Sequence, residues 1–94
     1  MFVRTVRFTD VTAERLDATL ARIEASDGPP PGVAVKRLQI LFDQAQGTAV
    51  VLQVFDTAED MAAADRAFAA MDASETPGTR VSVDMCESKL DRRL

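Results

Sequence analysis

Apolar and polar positions change period several times along the chain, and each change marks a boundary. From Phe2 to Phe8 the pattern is β-branched and aromatic with partial alternation, which predicts a first strand with Phe2, Val6 and Phe8 on one face and Arg4 among them. Thr9 to Thr12 supplies helix-start residues, Thr12 being the predicted N-cap. Ala13, Leu16, Leu20 and Ile23 then fall at spacings of three and four, so a helix is predicted to about Ser26. The run Asp27-Gly-Pro-Pro-Pro-Gly32 ends it and reads as a stiff connector, with Gly28 as the left-handed cap.

Val33 to Phe42 is predicted as the second strand, with Leu38, Ile40 and Phe42 sharing a face. A five-residue loop over 43–47, with Gly47 at a predicted positive φ, leads into a third strand over Thr48 to Phe55. Thr57 opens a second, alanine-rich helix whose apolar stripe is Met61, Ala64, Phe68 and Met71. Thr79 to about Glu87 is the fourth strand, and Ser88 to Leu94 a short charged tail.

This order is βαββαβ, the split βαβ pattern, in a single domain over 1–94. The fold class expected is α+β and ferredoxin-like: a four-stranded antiparallel sheet of spatial order 4-1-3-2 with two helices on one face. The third strand complicates it, because Val50, Leu52 and Val54 make its second face apolar too, and two helices cover only one face. A homodimer joined through the open sheet faces is therefore predicted.

Composition narrows the chemistry. A net charge of −4 argues against nucleic acid or an anionic membrane as partner. No apolar run has membrane-spanning length, and Arg4 and Arg7 interrupt any signal-peptide pattern. One cysteine, Cys86, cannot form an internal disulfide, so a reducing, cytoplasmic setting is expected. The absence of His and Trp and Tyr removes imidazole catalysis, histidine-ligated haem or zinc, and any phenolic or indole pocket group. No phosphate loop, serine elbow or cysteine pair is present, and neither metal nor cofactor is expected.

The stretch Val54-Phe-Asp-Thr-Ala-Glu-Asp-Met-Ala-Ala-Ala-Asp65 through Met71, followed by Gly78-Thr-Arg-Val-Ser-Val-Asp84, resembles the antibiotic biosynthesis monooxygenase superfamily. That resemblance implies a dimeric α+β barrel with two facing sheets, and a pocket between sheet and helices in each subunit. Its quinone-forming members use Asn with Trp, Tyr and Arg, and its haem-degrading members Asn, Trp and His. This chain has no Asn, Trp, Tyr or His, so the resemblance points to the branch without known activity. Where such relatives carry an aromatic in the last strand, this chain has Cys86.

The pocket candidates are Arg4, Gln53, Met61, Phe68, Asp84 and Cys86. Arg4 reads first as an arginine whose head reaches water or a cross-strand ion pair. If its face looks toward the helices it is a buried cation, and its partner would be Asp84 or a ligand carboxylate or enolate. Cys86 reads as a buried structural thiol, since no His is available to activate it. In the acidic group Asp56, Glu59, Asp60 and Asp65, three are explained by capping and the helix dipole. Three functions follow as expectations. The first is binding of a small apolar or aromatic ligand between sheet and helices. The others are a cofactor-independent monooxygenase acting on a polyketide-like phenol through Arg4, Asp84 and Gln53, and a structural subunit of a larger complex.

Overall fold

The computed structural model describes residues 1–94, the side chain of Ala73 excepted. Its elements are β1 (Phe2–Thr9), α1 (Ala13–Ala25), β2 (Arg37–Asp43), β3 (Thr48–Phe55), α2 (Ala58–Ala69), a 3₁₀ turn (Ala73–Glu75) and β4 (Thr79–Glu87). The sheet order β2-β3-β1-β4 is the one expected of a split βαβ chain, and all pairings are antiparallel. Thr12 and Thr57 cap the two helices, their hydroxyls accepting from the N–H groups of Arg15 and Asp60.

Two boundaries differ from the sequence reading. The second strand starts at Arg37 rather than Val33. Val33 and Val35 have strand-like side chains, but they pack instead against Phe55, Met61 and Ala64 as part of the connector. The first helix closes at Ser26, whose N–H returns to the Ile23 carbonyl, and Gly28 takes its positive φ in the loop beyond.

The sheet is open. β2 and β4 are its two edges and do not pair with each other. The dimeric α+β barrel implied by the resemblance is therefore corrected to an open four-stranded sheet with both helices on one face.

Side chains on that face line up in rungs across the strands. One rung runs Ile40–Val51–Val6–Val83, and a second, two rungs along the same face, joins Phe55 to Phe2. Around the first, Val6, Phe8 and Ala49 pack with Leu16 of α1. Around the second, Phe55 packs with Met61 and Ala64 of α2. The helices thus hold opposite ends of the same face. The chain enters β4 by a close pass: an ideal Cβ on Gly78 would lie 2.3 Å from the Thr9 carbonyl oxygen and 2.8 Å from a Val11 methyl. No helix among the described residues is long and apolar enough to cross a membrane.

Candidate ligand-binding site

Between the two apolar rungs lies a polar one: Leu38–Gln53–Arg4–Met85. It follows from register alone. Arg4 occupies an even position of β1, the parity of Phe2, Val6 and Phe8, so its side chain has no choice but the helix-covered face. Arg4 is only 2% exposed, so its head does not reach water, contrary to the first sequence reading.

Asp84 is not its partner. The register sets Asp84 opposite Thr5 and Met85 opposite Arg4, which places Asp84 on the open face. The partner is Asp65 on α2, whose Oδ1 accepts from Arg4 Nε at 2.9 Å. Gln53 Oε1 accepts from Nη1 at 3.0 Å. The Phe68 ring lies over the guanidinium, 5.4 Å from its carbon to the ring centroid. The third nitrogen, Nη2, is buried and has no hydrogen-bond partner among the described residues. Leaving such a donor unmade costs on the order of 1–3 kcal/mol.

A cavity of about 650 Å³ lies against this rung, between the sheet and both helices. Its walls include Val6, Ile40 and Val51 from the sheet, Ile23 from α1 and Phe68 from α2. Gln53 has given its oxygen to Arg4, so its amide nitrogen is the second donor the floor can offer. Arg22 and Arg80 stand in the same wall, with Glu75 as its one acidic member. Arg22 Nη2 donates to the Glu75 carbonyl and Arg80 Nη2 to the Phe68 carbonyl, both neutral acceptors that leave the arginine charges in place. A positive lining on a chain of net charge −4 is a local departure.

Of the six pocket candidates, the structure brings Arg4, Gln53 and Phe68 together at the cavity. Met61 shares a helical stripe with Phe68 but lies two turns nearer the N-terminus of α2, where it is buried against Val33 and Phe55. Cys86 pairs opposite Val3, on the open face, and its thiol is exposed rather than buried. Asp84 is exposed on that face as well. The residue missed by sequence reasoning is Asp65, and a signal existed: it is the one acidic residue of its group that capping does not explain. Among the described residues no cluster of three or more acidic or cysteine side chains could hold a metal ion.

Compared with known proteins, the chain matches no family, no curated protein and no solved structure. The resemblance to the antibiotic biosynthesis monooxygenase superfamily is corrected accordingly. The motif that carried it, an acidic cap before an alanine-rich helix and a valine-rich strand, is what any capped helix leading into a strand tends to show.

Proposed function

We propose that this chain binds a small apolar or aromatic molecule in the cavity between its sheet and its helices. The observation that carries the reading is the conjunction of an apolar cavity of about 650 Å³ with a buried arginine at its floor. Few convergent polar groups in an apolar hollow are the ordinary make-up of a small-molecule site. Binding ranks ahead of phenol oxygenation because the acid–base residue assigned from sequence, Asp84, lies on the other face, and Asp65 is held by Arg4. The test is fluorescence of N-phenyl-1-naphthylamine, a neutral probe, on addition of the protein. Enhancement that saturates, and that weakens when Val51→Phe narrows the cavity, supports the reading. No enhancement at any protein concentration overturns it.

A second reading concerns the open face. Val3, Val50, Leu52 and Val54 form an apolar column down its centre, and Leu41 beside them is 46% exposed. A second copy of the chain fits this face by polarity, since the apolar column of each copy would cover that of the other. With a two-fold axis along the strands, β2 of each copy overlies β4 of the other, and the register sets Gln39 at the height of Asp84. Such a pair is a sandwich of two open sheets. Sedimentation at micromolar concentration should give a dimer that Leu52→Lys dissociates, and a monomer throughout would remove it. An exposed single thiol at Cys86 accords with a reducing, cytoplasmic setting.

A further inference from the structure

We infer that the molecule taken by this cavity carries a carboxylate, and that one carboxylate oxygen accepts from Arg4 Nη2. The inference rests on the binding reading above and names the ligand class for that site. Three features lead to it. Arg4 has two of its three nitrogens engaged, by Asp65 and Gln53, and the third is 98% buried with its residue and unpaired. The side-chain groups the floor has left over are donors, the Gln53 amide nitrogen and, beneath the surface, Arg4 Nη2, so the complementary ligand atom is an acceptor. The wall decides between a neutral and an anionic acceptor. Arg22 and Arg80 keep their charges, because backbone carbonyls are their acceptors, and only Glu75 opposes them there. Asp65 offsets Arg4 through a single contact and is 39% exposed, so it can turn to water when a ligand anion arrives.

As the side chains stand Nη2 is sealed, and a ligand oxygen reaches it by displacing a neighbour. Phe68 is a neighbour placed to give way: it is half-buried, lies over the guanidinium and lines the same cavity. The apolar body of the ligand then rests on Val6, Ile40 and Val51.

The test compares 2-naphthoate with 2-naphthalenemethanol, which share a ring system and differ in the charged head. The chain has no Trp or Tyr, so naphthalene fluorescence is read against a dark background. In the wild-type chain the carboxylate should bind about tenfold more tightly than the alcohol, as a charge-assisted hydrogen bond exceeds a neutral one. Asp65→Asn should widen that ratio by removing the competing anion, an effect that a merely structural Asp65 would not produce. Arg4→Met should bring the ratio to about one or below. Equal binding of the two compounds, or a ratio that Asp65→Asn leaves unchanged, overturns the carboxylate assignment while the cavity reading stands. If neither compound nor N-phenyl-1-naphthylamine binds, the cavity reading itself fails. Should Arg4→Met not fold, the wild-type ratio and its response to Asp65→Asn decide the matter between them.

Discussion

The rungs Val6–Val51 and Arg4–Gln53 are neighbours on one sheet face, under the same pair of helices, yet they solve burial in opposite ways. The first is aliphatic: Val6 packs with Leu16 of α1, Val51 and Ile40 border the cavity, and no side-chain polar atom of the rung needs a partner. The second takes a guanidinium out of water, offsets it with one partly exposed carboxylate and one amide, and still leaves a donor unmade. Replacing a buried ion pair by apolar side chains is commonly neutral or stabilising. Stability therefore does not account for the polar rung, because the adjacent rung shows the cheaper solution two residues away. That disadvantage is what the proposed ligand site would account for.

Mutations can break this comparison. The largest effect is expected on the apolar side: Phe55→Ala, at a fully buried ring, should cost about 3–5 kcal/mol in urea unfolding. Asp65→Ala strips a partner from a buried cation and should cost about 2 kcal/mol, below the range for fully buried pairs because Asp65 is 39% exposed. The sharpest case is the double replacement Arg4→Met with Gln53→Leu. It should fall within about 1 kcal/mol of the wild type, or above it, while naphthoate loses its advantage over the alcohol. A large loss of stability there would mean the polar rung is structural after all.

The smallest effect lies outside both rungs. Asp72 is held below its ordinary value of 3.8 by the backbone N–H of Ser74 and then by its hydroxyl. A carboxyl so depressed stabilises the folded chain above its unfolded value, and that contribution is lost as pH falls through the lower folded value. Thermal melts of Asp72→Asn should match the wild type in strong acid and fall slightly short of it at neutral pH.

Much of this was legible from the sequence, and the failures have causes. β3 and β4 run over the residues expected, because alternation and flanking turn residues act locally. That Arg4 shares a face with Phe2, Val6 and Phe8 is period two and nothing more. Its partner was only hinted at: Asp65 stands out as the acidic residue capping does not explain, but it is 61 residues distant, and its pairing with Arg4 comes from how α2 packs on the sheet. Cys86 and Met61 were misplaced for related reasons. Alternation along β4 does group Asp84 and Cys86 on one face, opposite Val83 and Met85, but does not say which face the helices cover, and a helical stripe does not say which of its turns borders a cavity.

The close pass at Gly78 bears on how kindred chains could be recognised. Any side chain there would push the start of β4 away from the end of β1, so the position admits one residue type whatever the cavity holds. Arginine, glutamine and aspartate at 4, 53 and 65 form a separate signature with no such steric necessity. A chain bearing the glycine alone would share this architecture without its chemistry. One bearing all four, with an apolar lining kept around them, would carry the proposed site.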